Sequence, residues 1–286
     1  MEIIKFKNII LNIPIRYYND VIKNRFIKDI YETHELYFVN KYFDKNDYVL
    51  ELGSCLGFIS FTLAKIVKHV ISIEANPELE NCLISSQKMN NINNIDFHNC
   101  FISNDTKNIK FQTYDLITAG SGNRPKETAG PILNTLKEYE LTPRNIKSIN
   151  NINKVNSVIL DIEGGELNFF IENKDLFKKC NKILAEFHQK SMNIPDFEKK
   201  CVNILKSYDF LLLESKGGNF YFEKKSFINL KVKPQLKPIK KPEVKTEVKP
   251  IKKPELKPIK KPEQSNQLIN LLLNNANKKQ QLTKKY

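Results

Sequence analysis

Apolar runs of five or six residues recur between positions 3 and 223, and the stretches between them repeat apolar residues every three or four positions. The short runs predict buried strands, and the longer periodic stretches predict helices with one apolar side. Residues 3–15 read as one or two strands ending near Pro14. Residues 18–43 read as a helical stretch, with Val21, Ile22, Phe26, Ile30, Leu36 and Phe38 at its apolar positions. A strand is predicted at 48–52 with a helix from about 57 to 67, a second at 69–74 with a helix around 77–90, and a third at 95–102. A fourth at 157–161 precedes a helix over 166–173, and a fifth at 182–187 precedes a helix near 196–207. Residues 210–214 and 219–223 then pair across Lys216-Gly217-Gly218.

Strands alternating with helices imply an α/β fold, a parallel sheet covered on both faces. The closing pair implies one antiparallel strand at the sheet edge. The segment 111–156 is the least readable, and Thr118-Ala-Gly-Ser-Gly-Asn-Arg-Pro within it is loop-like. Loops of that length in a compact domain are usually functional or mobile.

Beyond position 230 the pattern changes. The octet LKPIKKPE occurs at 236–243 and 256–263, with VKPIKKPE at 248–255 and a VKTE insert between the first two copies. Seven of the chain's 13 prolines lie here, so neither helix nor ladder persists. The expectation is a disordered, extended, polyproline-like linker over 231–264. In the last segment, 265–286, Ser265 heads a short periodic stretch with Leu268, Leu271, Leu272 and Ala276, either a docking peptide for a protein partner over 265–277 or a transient helix without one. The organisation expected is an extension at 1–47, a domain at 48–230, the linker and this tail.

Charge sharpens that division. The chain carries +14, but residues 231–286 hold 16 Lys against 4 Glu, a net +12, which leaves +2 for the body. The excess therefore speaks to an appendage that can touch a polyanion such as nucleic acid or anionic lipid. Tyr286 is its only aromatic residue, so base stacking is not its mode. The chain has no apolar run of 18 residues, and its first residues lack a signal-peptide layout, so neither a spanning helix nor a leader is expected. Five widely spaced cysteines without C-x-x-C predict free thiols, a cytoplasmic setting and no metal centre.

Three motifs carry chemistry. Glu51-Leu-Gly53-Ser54-Cys55-Leu-Gly57 lies between a strand and a helix, where glycines let backbone approach a ligand. A dinucleotide fingerprint needs G-x-G-x-x-G, and Cys55 stands where its second glycine would be. The spacing suits a nucleoside with an amino-acid tail, S-adenosylmethionine, whose ammonium Glu51 can attract. Glu74 ends the second strand, 21 residues beyond Gly53, where a carboxylate accepts both ribose hydroxyls. Asn76 before Pro77 is either part of that site or a simple helix cap. The third motif, Asp161-Ile-Glu163-Gly164-Gly165-Glu166, sets three carboxylates at a strand end, where open α/β sheets bind ligands. They can orient an acceptor, act as a base or hold a metal. Asp161 has the best line to a reacting methyl. His188, after Glu186-Phe187, is a candidate base or an exposed loop histidine.

The order of these motifs resembles the FkbM family of methyltransferases, over about residues 48–188 with the closing pair consistent to 223. That resemblance implies a Rossmann-like class I methyltransferase fold, a mostly parallel seven-stranded sheet with a C-terminal antiparallel hairpin. It implies S-adenosylmethionine as cofactor and O-methylation of a sugar or small-metabolite hydroxyl. By the same resemblance Glu51, Gly53, Ser54, Gly57, Glu74 and Asn76 hold the cofactor, Asp161, Glu163 and His188 act on the acceptor, and Glu166 and Glu186 line its side. The family usually has Asp at the place of Glu51, G-A-N-x-G where Gly53-Ser54-Cys55 stands, and D-x-E-G-A-E where Gly165 replaces Ala. The D/N-P-P-Y/F signature of adenine methylation is absent after the fourth strand. The competing expectation is an inactive scaffold that works as a polyanion-binding adaptor through its tail.

Overall fold

The computed structural model of the chain describes residues 1–114, 135–189 and 194–232. Alternation at the N-terminus makes a hairpin of β1 (Glu2–Phe6) and β2 (Ile9–Ile13), turning through Lys7 and Asn8, both at positive φ. The expected single helical stretch is two helices, α1 (Asp20–Ile27) and α2 (Thr33–Tyr42). Asn19 caps α1 by accepting from the amides of Val21 and Ile22. The break falls at 28–32, where Asp29 and Glu32 take left-handed backbone angles. Aspartate tolerates that region, but apolar periodicity runs through the break and hides it.

The alternating segment follows as β3 (Tyr48–Leu52), α3 (Phe58–Ala64), β4 (His69–Glu74), α4 (Glu80–Met89) and β5 (Ile95–Asn99). Two further strands, β6 (Ile109–Tyr114) and β7 (Thr135–Leu141), pair antiparallel as a separate hairpin inside the segment that could not be read. Then come β8 (Ser157–Leu160), α5 (Glu166–Glu172), α6 (Lys174–Lys179), β9 (Lys182–Glu186), α7 (Phe197–Ser207), β10 (Phe210–Lys216), β11 (Asn219–Lys224) and α8 (Lys225–Val232).

The main sheet has the order β10-β11-β9-β8-β3-β4-β5. All pairings among β9, β8, β3, β4 and β5 are parallel. β11 is antiparallel to both neighbours, β9 and β10. The antiparallel strand is therefore one place in from the edge, not at the edge as expected. The tight turn at Gly217-Gly218 folds β11 back between β9 and β10. Sheet and helices form two apolar layers. Val49, Val70 and Ile159 face one that includes Phe61, Leu83 and the N-terminal hairpin. Leu50, Ile71 and Val158 face the other, with Phe170, Phe177 and Leu205. The side chains of β3 alternate between these layers, so Glu51 shares a face with Val49.

Buried polar contacts pin the frame. The ammonium of Lys182, 2 % exposed, lies 2.7 Å from Asp47 and 3.1 Å from Asp44, tying the start of β9 to the approach of β3. Asn12 and Ile10 donate backbone N–H groups to Ser86 Oγ and Asn90 Oδ1, which fastens the first hairpin to α4. The linker and the candidate docking peptide, from residue 233 onward, lie outside the described residues, as does the 118–125 loop.

Candidate active site

The parallel strands end on one side, and the loops leaving them build a cleft. The Gly53 and Ser54 amides donate to the Ile73 carbonyl, and the Asp161 amide donates to Leu52, so the ends of β3, β4 and β8 are laced together. A Cβ on Gly53 would stand 1.8 Å from the Asp161 carbonyl oxygen, and its φ is +86°. Only glycine allows β3 and β8 to exit this close. Gly57 has φ +80°, and a Cβ there would meet Phe61 and Leu83 at 2.7 Å. Between them Cys55 also has positive φ, and its N–H donates to Glu74 at 2.7 Å.

Glu74 is nearly buried, with one oxygen accepting from Cys55 and the other from the Asn76 amide at 2.7 Å. The Ala75 amide also bears on this carboxylate, and of its roughly four acceptor positions at least one is left for a ligand hydroxyl. Burial raises the Glu74 pKa to about 7, and the amide bonds oppose it. Asn76 has taken the capping role: its Oδ1 accepts from the Glu78 amide at 3.0 Å, and its amide nitrogen donates to Tyr17. Glu51 points into the layer over α3. Ser60 Oγ donates to it and lies 3.1 Å from Ser72 Oγ. Burial lifts Glu51 to about 7, with those serines lowering it and Glu74 raising it.

A cavity of 330 Å³ opens beside Glu74, lined on its apolar side by Phe101, Ile102, Phe111 and Phe169. A second, narrow pocket of 20 Å³ also borders Gly53, bounded by Glu32, Glu35, Glu51, Ser54 and Asp161. Leu52 and Gly53 line both. Ser54 is 5 % exposed, and its Oγ has no hydrogen-bond partner among the described residues. A nucleoside with an amino-acid tail fits these features: Glu74 for ribose, an apolar cavity for the base, and an orphan hydroxyl at the far end.

The acceptor-side residues converge on His188. Its Nδ1 is 3.0 Å from Glu166 Oε1, and its Nε2 is 3.5 Å from Asp161 and 3.7 Å from Glu163. Burial alone would lower the His188 pKa, but the Glu166 hydrogen bond and the Asp161 and Glu163 charges carry it to about 10. The ring is an imidazolium at neutral pH, with no lone pair to act as base. Glu166 is fully buried and also accepts from the Ile162 and Gly164 amides, so it closes the turn after β8. Asp161 is raised well above the ordinary carboxylate range by burial, with His188 opposing. Glu186 is raised by burial and accepts from Asn219 at 3.4 Å.

The donor atoms of Asp161, Glu163 and His188 lie within 4.8 Å of one another, as do those of Glu32, Glu35 and Asp161. Carboxylates with one histidine are of a type that holds divalent cations. The His188 imidazolium meets part of that need for positive charge. Sequence reasoning passed over Glu32 and Glu35. Their one signal is two acids three apart in a stretch otherwise read for its apolar side.

All five cysteines are free, and among the described residues no helix is long and apolar enough to cross a membrane. Residues 51–212 match the family model described as Methyltransferase FkbM domain. No curated protein matches the chain. Solved structures resemble the chain at low identity. TYW2 of M. jannaschii in complex with AdoMet is 12 % identical, with a TM-score of 0.41 over 78 % of this chain and 85 % of that one. A ribosomal protein L11 methylase of Lactobacillus delbrueckii subsp. bulgaricus is 11 % identical, TM-score 0.40, over 66 % and 76 %. A precorrin-6y C5,15-methyltransferase of Geobacter metallireducens is 10 % identical, TM-score 0.38, over 67 % and 84 %.

Proposed function

From the premise that this chain belongs to the FkbM methyltransferase family, we propose that it methylates a hydroxyl oxygen of a sugar or small metabolite. S-adenosylmethionine is the cofactor, and it supplies an electrophilic methyl carried on a sulfonium. Gly53 lets the loop lie flat against it, and Glu74 accepts from its ribose. Methyl transfer from a sulfonium is an in-line displacement that depends on alignment and exclusion of water more than on strong acid–base help.

The observation that carries the acceptor side is the Asp161–His188–Glu166 arrangement. Asp161 orients the acceptor hydroxyl and, in its ionised form beside the His188 cation, takes its proton. His188, fixed by Glu166, holds positive charge against Asp161 and Glu163 so that the cluster tolerates the acceptor. Glu163 and Glu186 bound the acceptor's space. The reading includes a cytoplasmic setting, supported by the free thiols.

The test is incubation of a cell extract with the full chain and isotopically labelled S-adenosylmethionine, followed by mass spectrometry of the products. The label should appear on oxygen. Asp161→Asn should lose transfer by about a hundredfold at saturating cofactor. Label found on nitrogen or carbon would overturn the O-methyl reading.

A further inference from the structure

The narrow pocket beyond Gly53 is chemically one-sided. Glu35, 5 % exposed, forms its floor, and the charges that bear on it are those of Glu32, Asp161 and Glu186. All are carboxylates. Glu32 and Glu35 bracket the N-terminal turn of α2, and neither lies in the segment that matches the family. An aromatic cluster holds that turn in place: Tyr31 packs against Phe26 at 4.6 Å and against Phe58 of α3 at 5.9 Å. On the facing wall, the buried Ser54 hydroxyl lacks a partner among the described residues.

Glu35 is buried and the carboxylates around it are half-buried, so groups this close relieve their repulsion by sharing a proton or by taking up a cation. The pocket's 20 Å³ admits one group about the size of a water molecule. It is also continuous in its lining with the cavity beside Glu74, because Leu52 and Gly53 border both. A ligand whose ribose meets Glu74 and whose chain passes over Gly53 ends here.

We propose that Glu32 and Glu35, supplied by the N-terminal extension, receive the α-ammonium of the cofactor's amino-acid end, with Ser54 Oγ as its polar neighbour. This rests on the cofactor reading above and gives the extension a role in cofactor selection. Glu51 lines the same pocket, but one of its oxygens already accepts from Ser60, so Glu32 and Glu35 add to it as partners of the ammonium. A ligand with the amino-acid tail is bound through both cavities, and one without it only through the first.

The experiment is calorimetric titration of the full chain with three ligands: S-adenosylmethionine, S-adenosylhomocysteine and methylthioadenosine, which lacks the amino-acid end. Glu35→Gln should weaken the first two by about tenfold or more and leave methylthioadenosine unchanged. The more accessible Glu32→Gln should shift affinities in the same pattern with less risk to folding. Equal weakening of all three ligands means a structural role and overturns the proposal, as does an unchanged affinity for the first two. If the unmodified chain binds none of the three, the cofactor reading itself falls.

Discussion

His188 Nδ1 lies 3.0 Å from Oε1 of Glu166, a carboxylate with no solvent exposure at all. A buried charge of this kind fixes both the orientation and the protonation of the ring. Replacing Glu166 with Gln keeps an acceptor for the Ile162 and Gly164 amides but removes the charge. The His188 pKa should then fall from about 10 by about one unit or more. Titration of the ring proton by NMR reads this directly. A ring that still titrates near its original value would show that Glu166 is not the source. The same raised pKa makes a contribution to stability that is fully present below the ordinary 6.5 and lost as pH rises through the folded value.

Glu51 and Glu74 give a second pH dependence, lower on the scale. Both are raised by burial from 4.5 to about 7. Between those values the folded chain holds protons that the unfolded chain has released. Their contribution is complete below 4.5 and is lost as pH rises through 7, so stability falls across that window. Glu74→Gln removes one of the two titrations and should make the decline shallower. Urea unfolding at a series of pH values measures it. Cofactor affinity should move the other way, tightening as pH rises through 7, because ionised Glu74 is the better acceptor.

Gly53→Ala should be among the most damaging single changes. The new methyl would overlap the Asp161 carbonyl, and the residue sits at φ +86°. The expected loss is about 3 kcal/mol or more, read as a lower urea midpoint at an unchanged slope. A variant of near-native stability would mean that the β3 and β8 ends separate easily.

The basic tail and the body should be separable. The first 235 residues form a unit with their own contacts. Deleting 236–286 should leave S-adenosylmethionine affinity within about twofold and abolish binding to anionic vesicles or single-stranded nucleic acid. In the full chain that binding should weaken steeply with salt, as counterion release requires. Vesicle sedimentation over a salt series decides it, and binding that survives deletion would move the polyanion surface onto the body.

The strands and their order of chemistry were readable because Val49, Leu50, Val158, Ile183 and their neighbours are apolar on both faces, which marks a covered parallel sheet. Glu74 and Asp161 were readable because strand ends are where such sheets bind. What could not be read has a common cause: it depends on partners far away in the chain. β6 and β7 pair with residues 115–134 between them in the chain, and no turn signal of hairpin length marks the pairing. Glu51 was expected at the cofactor, and it does line the pocket beside Gly53, but its bonds to Ser60 and Ser72 across the layer were not legible. Glu35 meets Asp161, 126 positions away, and nothing local to either announces it. The break between α1 and α2 was hidden because neither Asp29 nor Glu32 is the glycine that usually marks a left-handed turn.

The place of β11 has a consequence for how the chain comes to be folded. Phe220 and Phe222 fill the layer over α7, and the strand that carries them lies between β9 and β10. While the chain is being made, β9 emerges first and shows a bare edge until Asn219–Lys224 arrives, more than thirty residues later. For that interval Lys182–Glu186 is a template that any extended strand can pair with, including one from a neighbouring nascent copy. Among the described strands, the last to be synthesised is thus the one that completes the sheet's interior.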